Sequence, residues 1–227
     1  MTFAPATPHT PTSSTTSIVL IRHGETAWNA ERRLQGHIDI ALNDEGLRQA
    51  GALGAALAAD PFDAIYASDL QRAFQTAQAV ARPHGMPVLA DPGLRERCYG
   101  GFEGLLYAEI EQRFPREFAA WQAREIDGAM PAGVRVAETF RQFYARCIGA
   151  IVAIAQQRPG QTLALVAHGG VLECAYRAAL GLSLETPRDF PVMNASINRF
   201  TVTGGALALQ SWGEVAHLRR GALDELR

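Results

Sequence analysis

A short apolar run that ends on His-Gly occurs twice in this chain, and this recurrence constrains the fold more than any other feature. Ile18-Val19-Leu20-Ile21 leads into Arg22-His23-Gly24, and Leu163-Ala164-Leu165-Val166-Ala167 leads into His168-Gly169-Gly170. Continuous apolar runs of this length are typical of parallel strands covered on both faces. The segments around them alternate in the same sense. Asn43 is a good N-cap for a helix with Leu47, Ala50, Gly54 and Leu57 on one face, with Asp44 and Glu45 in its first turn and a stop at Asp60-Pro61. Ala64-Ile65-Tyr66-Ala67 reads as a second strand, and Ser68 as the N-cap of a helix with Leu70, Ala73, Phe74, Ala77 and Val80 on one face, ending before Pro83. A long amphipathic helix over 137–157, the strand at 163–167, and a helix from there to Leu180, stopped by Gly181, repeat the theme. The last pattern is a hairpin, with Phe200 and Val202 before Gly204-Gly205 and Leu207 and Leu209 after it. Alternation of this kind predicts an α/β fold, a mostly parallel central sheet with helices on both faces.

Residues 1–17 are mostly Thr, Ser and Pro, with Phe3 as the only sizeable apolar side chain. Such a segment buries too little surface to offset its ordering entropy, so it reads as a flexible N-terminal tail, with order beginning at Ile18. Residues 18–227 read as one domain without internal repeats. Within it, 99–136 differs in character. Tyr99, Phe102, Tyr107, Phe114, Phe118 and Trp121 crowd there among Glu and Arg. This is a helical excursion packing its own small core, a cap whose aromatics shape a pocket, or both.

Composition narrows the chemistry. All 21 cationic side chains are arginines. Schiff-base catalysis needs an amine, and P-loop enzymes and protein kinases place a lysine on the nucleotide phosphates, so all three are excluded. Genomic composition is the simplest cause, and the Ala-rich sequence agrees with it. A net charge of −2 argues against a nucleic-acid partner. Cys98, Cys147 and Cys174 are an odd number without CxxC spacing, so neither a disulfide framework nor a zinc site is expected, and free thiols fit the cytoplasm. No apolar run is long enough for a bilayer, and no signal-peptide pattern opens the chain, so no membrane association is expected.

Ligands of open α/β sheets bind outside the carboxyl ends of the strands, where both His-Gly steps lie. A lone histidine there is more often a packed, hydrogen-bonded residue; two at the ends of two strands form a stronger signal. Gly24 would let backbone approach a ligand, and Gly169 opens a helix whose N-terminal N–H groups suit an anion. Arg72 lies in the first turn of a helix, where its charge opposes the helix dipole unless an anion is bound; otherwise it turns to solvent or to Asp69. Glu96, between Arg95 and Arg97, is either a surface ion-pair residue or a general acid at the lip of a phosphate site. Together Arg22, His23, Arg72, Glu96 and His168 make a phosphoryl-transfer set that needs no metal. Metal binding by the two histidines is disfavoured by the adjacent arginine charges.

Four co-linear motifs carry a family resemblance. Arg22-His23-Gly24-Glu25-Thr26-Ala27-Trp28-Asn29, followed by Leu34-Gln35-Gly36, Leu42-Asn43 and Gln49-Ala50, resembles the opening of the histidine phosphatase, or phosphoglycerate mutase-like, superfamily. Ser68-Asp69-Leu70-Gln71-Arg72-Ala73 with Gln75-Thr76-Ala77 resembles its second motif. Leu94-Arg95-Glu96 with Gly100 and Phe102-Glu103-Gly104 resembles the third, and His168-Gly169-Gly170 the fourth. The resemblance implies a three-layer α/β/α fold, His23 as the phosphorylated nucleophile, Arg22, Arg72 and His168 as the phosphate pocket, and Glu96 as proton donor. It also implies phosphate contact by Asn29 and substrate contact by Gln35 and Gly36, with no cofactor and no metal. Within the superfamily, the mutases carry a lysine, an Arg pair after a Trp, a His where this chain has Cys98, and a Pro-rich insert. This chain lacks lysine, and Gln122-Ala123 follow Trp121. It is more similar to the broad-specificity and α-ribazole phosphatases. The expectation is therefore a phosphomonoesterase acting on a small phosphorylated metabolite, with mutase-type intramolecular phosphoryl transfer and non-catalytic phospholigand binding as the alternatives. Arg95, Arg97, Arg135 and His37 are candidate selectors around the site, each more ordinarily a solvated surface residue. The late hairpin offers an edge for pairing in a homodimer.

Overall fold

The computed structural model describes residues 14–218 and 223–224. The tail expected over 1–17 therefore lies mostly outside the described residues. Its last part does not: the first strand, β1, spans Thr16–Arg22, two residues earlier than expected. Thr16 is buried there, and its hydroxyl donates to Ala155 O and Arg158 O at 3.2 and 3.0 Å.

Among the described residues six strands form one sheet. Besides β1 these are β2 (Ala64–Ala67), β3 (Val88–Ala90), β4 (Thr162–Ala167), β5 (Ile197–Thr203) and β6 (Ala206–Glu214), in the spatial order β3-β2-β4-β1-β5-β6. The first three junctions are parallel, and β5 and β6 add as an antiparallel hairpin beside β1. The expected mostly parallel sheet is present, with the hairpin at one edge.

Side-chain alternation splits the sheet into two buried faces. Ile18, Leu20, Leu163 and Leu165 pack against helices α6 (Phe140–Gln157) and α7 (Gly169–Leu180), through Phe143, Cys147, Ile151, Val171 and Leu172. Val19, Ile21, Ala164 and Val166 pack against α2 (Asp44–Ala56) and α3 (Gln71–Ala81), through Leu53, Ala73, Ala77 and Val80. This is the three-layer arrangement. Two helices, α4 (Tyr107–Arg113) and α5 (Pro115–Gln122), follow β3 and form the cap, and a short helix, α1 (Ala27–Glu31), follows β1. The cap has its own small core of Leu34, Phe102 and Ile110, with Trp121 stacked on Tyr107 at 5.6 Å.

Three local expectations differ from the structure. Leu47 is 53 % exposed, because the buried stripe of α2 runs instead through Gly46, Gln49, Ala50, Leu53 and Gly54. Ser68 is not an N-cap: α3 begins at Gln71, and Asp39, from a distant loop, accepts from Gln71 N at 2.7 Å. The long helix starts at Phe140 rather than 137, where Thr139 and Gln142 close a capping box.

Candidate active site

Strand register assembles the site. Arg22 of β1 lies opposite Ala167 of β4, so the next residues, His23 and His168, emerge side by side with ring centroids 5.1 Å apart. Ala67 of β2 lies opposite Val166, which brings the start of α3 and Arg72 to the same end of the sheet. β3 runs parallel to β2 and leads, through a turn of 3-10 helix at Pro92–Leu94, to Glu96. Four adjacent parallel strands thus deliver one or two of the five residues each, at their carboxyl ends, and Arg22, His23, Arg72, Glu96 and His168 are all buried.

His23 is held firmly. Its Nδ1 donates to Gly24 O at 2.6 Å, which leaves the lone pair of the neutral ring on Nε2. Burial, then the charges of Arg72 and Arg22, hold its pKa well below the usual imidazole value. Burial and the Arg72 charge act in the same direction on His168, with smaller contributions from His23, His37 and Arg22. Neither ring nitrogen of His168 has a hydrogen-bond partner among the described residues. Both rings are therefore neutral near neutral pH, and a bound anion would offset the guanidinium charges that oppose their protonation.

The two arginines are anchored by backbone carbonyls. Arg22 Nη1 donates to Val192 O and, at 3.5 Å, to Leu223 O. Arg72 donates from Nη2 to Gly36 O at 2.8 Å and from Nη1 to Ile38 O at 3.0 Å, so it holds the Gln35-Gly36 loop. Asp69, the alternative partner for Arg72, instead pairs with Arg95 through two bonds of 2.6 and 2.7 Å.

Glu96 bridges two segments. Its Oε1 accepts from Arg97 N at 2.7 Å and its Oε2 from Gly170 N, in the first turn of α7, at 2.9 Å. Gly170 is needed there, since a Cβ would stand 2.3 Å from Glu96 Oε1. Gly24 has a different reason from the one expected. Its open side is filled by Gly46 of α2, whose carbonyl would lie 2.6 Å from a Cβ, so the glycine admits a helix rather than a ligand.

Of the remaining candidates, Asn29 closes the capping box of α1, its Oδ1 accepting from Thr26 N and Oγ1 at 3.1 and 3.0 Å, and it shares a small cavity with Arg22. Gln35 is buried with Oε1 unpartnered, Gly36 sits at φ +54° against Glu103, and Gly169 is the first residue of α7. Arg135 is largely exposed at 3.8 Å from Glu103, while His37 Nε2 donates to Glu96 O at 2.7 Å.

Sequence reading missed three supports. Asn194, fully buried, donates from Nδ2 to His23 O at 3.0 Å. Thr76 of α3 accepts from Gly24 N at 3.1 Å and donates within its own helix to Arg72 O at 2.7 Å, tying the His23-Gly24 turn to the helix that carries Arg72. Arg146, paired with Glu138, donates to the carbonyls of Gly93, Arg95 and Glu96 and so braces the loop that carries Glu96. The polar alternation Asn194, Ser196, Asn198 ahead of Phe200 was the available signal for the first.

A parallel-strand site with paired histidines and arginines defines a phosphoryl-handling α/β protein. The chain belongs to the histidine phosphatase superfamily (branch 1), whose family model matches residues 18–215. Among curated relatives it is 38 % identical over 204 residues to phosphoglycerate mutase-like protein 4 of Arabidopsis thaliana, covering 88 % of this chain and 86 % of that one. It is 36 % identical over 208 residues to the metal-independent phosphoserine phosphatase of the same plant, covering 91 % and 84 %. Among solved structures, YhfR from Bacillus stearothermophilus superposes with a TM-score of 0.81 at 35 % identity over 89 % of this chain and 98 % of that one. The Entamoeba histolytica phosphoserine phosphatase in complex with 3-phosphoglyceric acid gives 0.77 at 27 % identity, over 89 % and 98 %. The family and its phosphatase relatives support a phosphatase. No helix among the described residues is long and apolar enough to cross a membrane.

Proposed function

We propose that this chain hydrolyses phosphomonoesters of small metabolites through a phosphohistidine at His23, without a metal or other cofactor. The observation that carries this reading is His23 itself: buried, neutral, fixed by Gly24 O, and set beside two guanidinium groups. In the first step the Nε2 lone pair attacks phosphorus, the bond to the leaving oxygen breaks, and a protonated Glu96 gives that oxygen its proton. Arg22, Arg72 and the His168 N–H bear on the phosphoryl oxygens, with Asn29, Gln35, Gly36 and Gly169 completing the binding surface. In the second step Glu96 takes a proton from water, whose oxygen attacks phosphorus. The P–N bond breaks and its electrons return to Nε2. Because His23 stays unprotonated below the usual imidazole value, the nucleophile persists in mildly acidic solution, as a histidine acid-type phosphatase requires. The three free, buried cysteines suit a cytoplasmic setting.

The test is turnover of 4-nitrophenyl phosphate in excess chelator, with acid-quench trapping of labelled phosphate on the protein. Turnover and label are expected in the wild type, and neither in His23→Ala. Activity lost on chelation, or kept at the wild-type level in His23→Ala, would refute the reading. Phosphoryl transfer between two positions of 3-phosphoglycerate that outpaces hydrolysis would replace it with mutase chemistry.

A further inference from the structure

His37 makes a connection that neither the phosphate pocket nor the proton donor accounts for. It lies in the loop between α1 and α2, next to Gln35 and Gly36. The backbone of that loop is fixed without the His37 side chain. Arg72 donates to the carbonyls on either side of it, Gly36 O at 2.8 Å and Ile38 O at 3.0 Å. Glu103 Oε1 accepts from His37 N at 2.9 Å and from Tyr99 N at 3.0 Å, tying the loop to the start of the cap. Asp39 adds a bond from Gln71 N, at the start of α3, at 2.7 Å. The imidazole is therefore presented by a backbone already held in place.

Among the described residues that imidazole makes one hydrogen bond, from Nε2 to Glu96 O at 2.7 Å. A carbonyl only accepts, so the proton is on Nε2. Burial holds the His37 pKa below the usual imidazole value, so the neutral ring spends its one N–H on this bond. The same carbonyl accepts from Arg146 Nη2, of α6, at 3.0 Å. Both of its lone pairs are thus engaged, one from α6 and one from the loop that Arg72 holds. The Glu96 carbonyl and the Arg97 N–H are two ends of one planar peptide group. The N–H end donates to Glu96 Oε1 at 2.7 Å. Fixing the carbonyl end therefore fixes the donor that orients the Glu96 carboxyl group.

We propose that His37 is a positioning residue that links the loop held by Arg72 to the proton donor, by locking the Glu96–Arg97 peptide whose N–H orients the Glu96 carboxyl group. The proposal rests on the phosphatase reading above, and its test separates the two. The kcat/KM, which covers the steps up to the phosphohistidine, is measured on 4-nitrophenyl phosphate and on phenyl phosphate. Phenolate is the poorer leaving group and depends more on receiving a proton. His37→Phe keeps a ring and removes the donor. It is expected to lose about tenfold on phenyl phosphate and less than about threefold on 4-nitrophenyl phosphate, short of the roughly 100-fold of a full misplacement because Arg146 still holds the carbonyl. His37→Gln, whose amide nitrogen stands in for Nε2, is expected to recover most of that loss. Added to Glu96→Gln, His37→Phe is expected to cost less than about twofold on phenyl phosphate, because a residue that acts through Glu96 then has nothing to position. In the wild type, nitrogen NMR spectra of the imidazole are expected to place the His37 proton on Nε2. A proton on Nδ1 overturns the proposal even where a variant fails to fold. Equal losses on the two esters in His37→Phe, no loss on either, no recovery in His37→Gln, or full additivity with Glu96→Gln overturns it too. A leaving-group effect in Glu96→Gln beside any of these results leaves the phosphatase reading intact, whereas no turnover of either ester by the wild type removes both.

Discussion

Gly170→Ala should disable the proton donor while leaving the nucleophile in place. The added Cβ would lie 2.3 Å from Glu96 Oε1 and 2.9 and 3.0 Å from two ring carbons of Phe143. Phe143 is packed in the core at 1 % exposure and has little room to retreat, so the carboxylate moves. Ordinary contact begins at 3.4 Å, which requires a displacement of about 1 Å, enough to break the bond from Arg97 N or that from Gly170 N. Misplacement on that scale costs about 100-fold when the group is needed in the transition state. The need depends on the leaving group. An alkoxide must be protonated as it departs, whereas a nitrophenolate departs largely on its own. The expected result is a loss of about 100-fold in kcat on an alkyl phosphate and less than about tenfold on 4-nitrophenyl phosphate. Overpacking should cost about 1–3 kcal/mol, partly offset by roughly 1 kcal/mol from replacing glycine in a helix, so the protein stays folded and a melting curve checks it. Equal losses on the two substrates, or none on either, would refute this role for Glu96.

Two further outcomes follow from the same geometry. His23 and His168 have depressed pKa values in the folded protein, so the unfolded chain binds protons that the native state refuses. Their contribution is intact above the unfolded histidine value near 6.5 and is lost as pH falls below it, at up to about 3 kcal/mol per pH unit for the pair; urea unfolding at pH 7.5, 6.5 and 5.5 measures this, and a flat profile contradicts it. Asn194→Ala removes the bond to His23 O and should cost about 1–2 kcal/mol of stability. It should also lower kcat on 4-nitrophenyl phosphate, and an unchanged kcat would show that His23 does not depend on Asn194 for its position.

What the sequence made legible is the part that local pattern controls. An apolar run ending in His-Gly announces both a strand and what lies at its end, so β1, β4, His23 and His168 could be placed together before any coordinates. The residues that brace the site were hidden because their partners lie far along the chain. Asn194 reaches His23 only because β5 adds antiparallel to β1, and Arg146 reaches the Glu96 loop from a helix 50 residues on. Arg95 and Arg97 show the limit most clearly. In sequence they are equivalent flanks of Glu96. In the fold the Arg95 side chain is about one-third exposed and paired with Asp69, whereas Arg97 is buried between aromatic rings with no salt bridge to a described acid, although Glu138 and Glu96 act on its charge. Burial of a charge is decided by the cap packing over it, which no spacing rule encodes.

The absence of lysine is then more than a curiosity of composition. Arg22 and Arg72 are 0 % and 1 % exposed, a setting in which an ammonium group tends to shed its proton. A guanidinium stays charged, and its several N–H groups allow it to be fixed and functional at once: Arg72 spends two on Gly36 O and Ile38 O, and Arg22 holds Val192 O. That retained charge has two consequences. Added to burial, the larger cause, it helps hold both imidazoles below their usual pKa, so His23 keeps its lone pair, and in the proposed reaction it attracts the anion. A lysine at either position would weaken both effects together, because in the proposed reaction the charge that helps prepare the nucleophile is the same charge that binds its target.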